Sequence, residues 1–76
     1  MTPYKDVNRD SGVRSFEYGD DWIRVQFKDG KTYEYRASKI GRRHIETMKS
    51  LADAGDGLNA YINTNRDVHG GYSSRS

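Results

Sequence analysis

The 76-residue sequence predicts one small α+β domain, in which a three-stranded antiparallel meander is followed by two helices, a βββαα order. Three observations predict it. The apolar residues cluster between Val13 and Ile62. Apolar and polar residues alternate from Ile23 to Lys28, and an Asp-Gly turn signal follows them. Farther along the chain, the apolar residues from Ile40 to Leu51 recur at the spacing of an amphipathic helix.

The first two strands open the meander. Residues from Val13 to Tyr18 include β-branched and aromatic side chains, and the turn signal Gly19-Asp20-Asp21 follows them. The second strand alternates cleanly and places Ile23, Val25 and Phe27 on one face. Its other face carries the following residues: Trp22, Arg24, Gln26 and Lys28.

The loop of the next hairpin decides where the tyrosines of the third strand point. That strand covers residues 31–36 and contains Tyr33 and Tyr35. A two-residue loop, Asp29-Gly30, places both tyrosines on the same face as Trp22. In that arrangement the aromatic rings form an exposed cluster.

A three-residue loop that ends on a left-handed glycine reverses the arrangement. It sets Val25 opposite Tyr33 and Ile23 opposite Tyr35, so the tyrosines join the core. We favour this register, because the shorter loop would place Glu34 beside Val25 on the buried face. Buried tyrosines still need partners for their hydroxyl groups, and the helix that follows is the expected cover.

Two helices are predicted after the meander. Ser38 is the expected N-cap of a helix that runs to about Ala54, where Gly55 ends it. Asp56 is the expected cap of a short second helix that ends at the run 63–65. The predicted core stripe of the first helix is Ile40, His44, Thr47, Met48 and Leu51, flanked by Ile45 and Ala52. The predicted outer face is Lys39, Arg42, Arg43, Glu46 and Lys49.

Composition limits the classes of function. The formal charge is +2, but the segment from Arg36 to His44 contains basic residues and no acidic one, which predicts a polarised surface. The absence of cysteine excludes disulfides and thiolate chemistry, and it suits a reducing cytoplasm. No apolar run approaches the roughly 18 residues that span a bilayer, so we expect a cytoplasmic protein without membrane contact. We also expect a monomer or weak dimer.

The domain boundaries follow from the same patterns. Residues 1–10 and 67–76 are polar or rich in glycine and serine, so we expect two flexible ends that bury little. The folded domain is then predicted to cover residues 11–66.

Catalytic patterns are missing from the sequence, so we expect no catalytic residue, no cofactor and no metal site. His44 lies on the predicted core stripe, where a hydrogen-bonded structural histidine is the more common case, and His69 lies in the predicted tail. Asp53 and Asp56 lack the ligand series of a calcium-binding loop.

Four segments carry a resemblance to a known family. They are Phe16-Glu17-Tyr18, Ile23 to Gly30, Tyr33-Glu34-Tyr35, and Gly55 to Ile62. In these segments the chain resembles the KTSC domain, a small module appended to some lysyl-tRNA synthetases and also found alone in bacteria and phages. The chain departs from the family pattern at Ala37-Ser38, where Val-Pro is usual, and at Leu58, where an aromatic residue is usual. The resemblance implies a βββαα fold and an RNA-binding role, and it names no catalytic residue.

Two surfaces are candidates for binding RNA or a nucleoprotein. The outer sheet face offers Trp22, Arg24, Lys28 and Arg36, and the outer helix face offers Lys39, Arg42, Arg43 and Lys49. An exposed ring can stack on a base while neighbouring cations contact phosphates.

Structural alternatives stay open for both surfaces. Trp22 can instead pack under the N-terminal segment or the second helix, with the sheet charges paired to Glu34. Glu46 can pair with Arg42 and Arg43 in an ordinary solvated helix face. A rival function is that of a phage or mobile-element protein that binds and inhibits a host protein or nucleoprotein machine, with Trp22 as its anchor.

Overall fold

The sheet of this protein runs in the order of the chain, with every neighbouring pair of strands antiparallel. The computed structural model describes residues 1–7 and 11–76. The strands are β1 (Thr2–Pro3), β2 (Val13–Tyr18), β3 (Trp22–Phe27), β4 (Thr32–Arg36) and β5 (Ser74–Arg75). The helices are α1 (Ala37–Ile40), α2 (Arg42–Ala54), α3 (Leu58–Thr64) and α4 (Arg66–His69). The α+β class is confirmed; two edge strands and α4 add to the predicted βββαα order, and the first predicted helix is divided into α1 and α2.

The register between β3 and β4 is the one that the three-residue loop predicts. Val25 lies opposite Tyr33, and Ile23 lies opposite Tyr35. Gly30 has a φ of 92°, and its N–H donates to the Phe27 carbonyl at 2.9 Å. Glu34 therefore faces away from the core, as expected, although its neighbours on the outer face bury most of it.

One face of the sheet packs against the helices and forms the core. The buried apolar side chains come from β2 to β4, from α2 to α4 and from Tyr4: Tyr4, Val13, Phe16, Ile23, Val25, Tyr35, Ile45, Met48, Ala52, Leu58, Ile62 and Val68. The centre of the α2 stripe is Ile45, Met48 and Ala52, spaced three and four residues apart. The predicted stripe was therefore misplaced by about one residue, since Ile40 and Leu51 are only partly buried.

The predicted continuous helix is broken at Gly41. This glycine has a φ of 93°, which a residue with a β-carbon rarely adopts, and it separates α1 from α2. Ser38 lies inside α1 and caps neither helix, because neither has a side-chain cap at its N-terminus. The predicted Ser38 cap was therefore wrong.

The other predicted helix ends are partly confirmed. Gly55 ends α2 in the left-handed conformation, and its N–H donates to the carbonyls of Leu51 and Ala52. The N-cap of α3 is Gly57 rather than Asp56, and the Leu58 N–H in its first turn donates to the Tyr4 hydroxyl. Asn65 follows the last residue of α3, as the run 63–65 predicts.

Both predicted ends contribute to the packed structure. Tyr4 is buried, and its hydroxyl accepts a hydrogen bond from the Leu58 N–H at 3.2 Å. Val68 in α4 is 0% exposed, and β5 pairs with β4. The expectation that these ends bury little is therefore wrong for those residues, whereas their flexibility stays a prediction. Residues 8–10 of the predicted N-terminal segment lie outside the described residues. Among the helices of the described ranges, none has the length and apolar character to cross a membrane.

We expect Val68→Ala to lower the free energy of unfolding by about 2 kcal/mol, because it removes buried methyl groups and leaves a cavity. Val7→Ala is the matched control, since Val7 is 62% exposed, and it should change that free energy by less than about 0.5 kcal/mol. Urea denaturation of both variants measures the difference. Equal values for the two variants would show that α4 does not belong to the core.

Candidate binding surfaces

Glu34 lies at the centre of the outer sheet face, between two arginines. Arg24 donates from Nη2 to Glu34 Oε1 at 2.6 Å, and Arg36 donates from Nε to Glu34 Oε2 at 2.7 Å. Arg24 also donates to Glu17 through its other terminal nitrogen. The cross-strand pairing with Glu34, which the sequence left open as an alternative, is thus present, and these four charged side chains balance one another.

The same contacts set the protonation of this cluster. The hydrogen bond from Arg24, reinforced by the bond and charge of Arg36, holds the pKa of Glu34 below its ordinary value. The hydrogen bonds to Glu34 and Glu17 in turn raise the pKa of Arg24. The outer face therefore keeps its paired charges at neutral pH.

Trp22 lies at one end of this face, half-buried beside two neighbours. It is opposite Arg36 in the strand register, and the Arg24 guanidinium carbon lies 5.1 Å from the centre of its ring. A β-carbon on Gly19 would lie 2.2 Å from Trp22 Nε1, so only a glycine permits this ring position. The β2–β3 turn and Arg24 therefore hold the ring in place.

The β2–β3 turn also connects this end of the sheet to α2. Arg42 donates to the Asp20 carbonyl at 3.3 Å, and Lys49 donates to the same carbonyl at 2.7 Å. The Ala37 N–H donates to the Asp21 carbonyl at 2.8 Å. We call this end of the molecule, with Trp22, Arg36, Arg42 and the adjacent Arg43 at the start of α2, the Trp22 end.

The cations of α2 differ in how strongly they are held. Lys49 is mostly buried, since it also pairs with Glu46 at 3.1 Å and lies over the ring of Tyr18. Arg42 has weaker partners, because Asp20 Oδ2 is 3.5 Å away on a side chain that is 92% exposed, and Glu46 is 3.9 Å away. Arg43 is exposed and has no ion-pair partner in the part of the chain that the structure describes. Arg42 and Arg43 are thus the most available cations of this helix.

Two of the predicted binding residues have partners outside the Trp22 end. Lys28 follows the far end of β3 and pairs with Asp6 at 3.0 Å. Lys39 in α1 donates to the Tyr72 carbonyl at 3.1 Å. The structure thus divides the predicted residues into a group near Trp22 and two separate lysines.

The histidine of α2 has a structural partner. His44 Nδ1 lies 2.7 Å from the Tyr61 hydroxyl, and the two rings pack edge to face. This contact links α2 to α3. His44 is thus hydrogen-bonded within the fold, as its position on the predicted core stripe indicates. Within residues 1–7 and 11–76, no group of acidic or histidine side chains converges to form a metal site.

Sequence reasoning missed a cleft of about 470 Å³ at the other end of the sheet. Phe27 and Tyr33 line it from the sheet, Asn59 and Asn63 from α3, and Tyr72 and Arg75 from the C-terminal segment. The cleft was missed because residues 67–76, which line part of it, have the composition of a flexible tail. The signal that could have predicted packing there is Tyr72, the aromatic residue of that segment.

Comparison of the chain with family models, with curated proteins and with solved structures gives no match in any of the three.

We expect Glu34→Gln to lower the free energy of unfolding at pH 7 by about 1–3 kcal/mol, because it removes the charge between Arg24 and Arg36. The folded pKa of Glu34 is lowered, so its contribution is complete above the unfolded value of about 4.3 and is lost as the pH falls below it. In urea denaturation at pH 7, 5 and 3, the difference in the free energy of unfolding between Glu34→Gln and the wild type should shrink at the lowest pH. Glu46→Gln, at an exposed position on α2, is the control. A difference that does not change with pH would contradict this assignment.

We expect Gly19→Ala to displace the indole of Trp22 and to cost about 1–3 kcal/mol of stability, because the new methyl group overlaps the ring. The emission maximum of the single tryptophan reports the displacement directly. Gly70→Ala is the control, since a β-carbon there has its nearest neighbour, the Arg66 carbonyl oxygen, at 3.9 Å. Identical emission spectra for the two variants would contradict the described ring position.

Proposed function

We propose that this chain is a non-catalytic binding module that contacts single-stranded RNA, alone or within a nucleoprotein, through the Trp22 end. One observation carries the proposal. The β3–β4 register and the contacts of the Asp20 turn bring one aromatic ring and the arginines of two separate elements to the same end of the molecule. Ring stacking on a base and cation contacts to phosphates are the two interactions that single-stranded nucleic acids need.

In this proposal, the role of each arginine depends on how strongly carboxylates of the protein hold it. Arg24 is held by two carboxylates, so it positions the tryptophan and contributes little net charge to a ligand. Arg42 can exchange its weak, exposed contact with Asp20 for a phosphate at small cost. Arg43 carries a charge with no internal partner in the described ranges. Phosphate binding is therefore assigned mainly to Arg42 and Arg43, since Arg36, beside the ring, is paired with Glu34.

The alternative function is binding to a host protein, as a phage or mobile-element inhibitor would do. The observation that favours it is the balanced outer face, where Glu17 and Glu34 neutralise Arg24 and Arg36 around Trp22. Tryptophan and arginine are the residues most often found at the energetic centre of protein interfaces.

We also propose that the chain is a KTSC-like domain of the cytoplasm. In this proposal, the family's βββαα core consists of β2, β3 and β4 together with α2 and α3. The synthetase context of that family supports RNA as the first ligand to test.

We expect single-stranded RNA to change the fluorescence of Trp22 in a saturable titration, with an affinity that falls as salt rises. Arg43→Gln should weaken binding and reduce the slope of log K against log salt by about 1, as the loss of one phosphate contact predicts. Arg14→Gln is the matched control, because Arg14 is an exposed arginine on β2 at the opposite end of the sheet. It should leave the affinity nearly unchanged.

Two results would contradict RNA binding at this surface. One is a flat titration at low salt, and the other is an equal effect of Arg43→Gln and Arg14→Gln. A protein partner that the chain retains after nuclease treatment, and loses on Trp22→Ala, would support the alternative function instead.

A further inference from the structure

The cleft at the far end of β3 has an aromatic wall of fixed geometry. Tyr33 packs edge to face against Phe27, with ring centres 5.4 Å apart, and against Tyr72, with ring centres 4.9 Å apart. The two contacts have interplanar angles of 90° and 85°. A planar ring that enters the cleft can therefore stack on one side chain while its edge meets another.

Polar groups without partners border this wall. Tyr35 is 1% exposed and lines the cleft, and its hydroxyl makes no hydrogen bond within the described residues. Every side-chain polar atom that is fully buried in those residues has a partner, so this hydroxyl is not sealed in the core and borders the cleft. This hydroxyl is therefore open to a ligand in the cleft, to which it can donate or from which it can accept a hydrogen bond.

Two amides on α3 add to the polar lining. Asn59 and Asn63 are four residues apart, which places them on the same side of the helix, and both line the cleft. Neither side chain makes a hydrogen bond to any residue that the structure describes. Each amide offers both a donor and an acceptor, as the edge of a heteroaromatic ring requires.

The cleft also carries a positive charge with no carboxylate partner. Arg75 is paired in register with Tyr33, and the Tyr33 hydroxyl accepts a hydrogen bond from it that raises the Arg75 pKa. No acidic side chain of the described ranges forms an ion pair with Arg75. Lys28 at the same cleft is paired with Asp6, and the carboxylate of Asp29, which also lines the cleft, accepts the Lys31 N–H, so Arg75 is the cation available to an anionic group.

We infer that the aromatic cleft binds a nucleotide unit, with the base against the wall formed by Tyr33 and Tyr72, its edge at Asn59 and Asn63, and the phosphate at Arg75. The volume of about 470 Å³ lies in the range of small-molecule sites. The unit comes either from a free nucleotide or from one residue of a single-stranded RNA, since both present the same chemistry. The inference does not rest on the proposed function, because the cleft and the Trp22 end lie at opposite ends of β3.

Nuclear magnetic resonance titrations of the full chain test the inference. The ligands are adenosine and uridine 5′-monophosphates, adenosine, inorganic phosphate and a five-nucleotide RNA. We expect the side-chain amide signals of Asn59 and Asn63 to shift in a saturable way with a monophosphate or with the RNA. Adenosine and inorganic phosphate should each bind more weakly than the monophosphate.

Three variants locate the ligand groups. Arg75→Gln should weaken monophosphate binding about five- to tenfold and leave adenosine binding nearly unchanged, because it removes a charge-assisted contact to phosphate. Asn63→Ala should weaken both ligands, and its unpartnered side chain makes a folding defect unexpected. Arg66→Gln, an exposed arginine of α4 outside the cleft, is the matched control.

The outcomes distinguish a free nucleotide from an RNA strand as the ligand, and they distinguish the cleft from the Trp22 end as the binding site. Saturation by free monophosphates supports a nucleotide source, whereas saturation by the RNA alone with the same amide shifts supports a unit within a strand. The inference is overturned if no ligand shifts the Asn59 and Asn63 amides, or if Arg66→Gln acts as strongly as Arg75→Gln. RNA that shifts only signals of the Trp22 end would overturn the cleft and leave the proposed function intact.

Discussion

The pairing of β3 with β4 determines which side of the sheet each residue of β4 occupies. Because side chains alternate along a strand, a shift of one residue would exchange the two faces of β4 completely. In the observed register Tyr33 and Tyr35 face the helices, and Glu34 faces the two arginines of the outer face. The same pairing places Arg36 opposite Trp22 and aligns Tyr33 with Phe27 at the cleft. Both candidate surfaces therefore depend on the three-residue loop.

Local sequence patterns were sufficient to predict this part of the molecule. The choice of register followed from one comparison, the cost of placing Glu34 beside Val25 on a buried face. The structure shows Glu34 on the other side, where two arginines satisfy it. The end of α2 at Gly55 was equally local, because a left-handed glycine completes the last hydrogen bonds of a helix.

Features that depend on distant contacts could not be predicted in this way. Gly41 was read as part of a helix, since a single glycine costs a helix only about 1 kcal/mol and spacing alone does not reveal a break. Val68 and Tyr72 lie in a segment of tail-like composition, yet Val68 joins the core and Tyr72 packs against Tyr33, more than thirty residues earlier in the chain. The cleft was missed for that reason. At the Trp22 end, the residues were predicted, but their pairing with Asp20 and Glu34 was resolved only by the fold.

The most direct test of the account is the strand register itself. Thr32 exchanges backbone hydrogen bonds with Ser76 rather than with β3, so Arg24 and Glu34, two residues farther along, face each other as a close pair. We expect a strong nuclear Overhauser effect between the α-protons of Arg24 and Glu34. A strong effect between the α-protons of Val25 and Glu34 would indicate the two-residue loop. That result would move the tyrosines to the outer face and contradict both candidate surfaces.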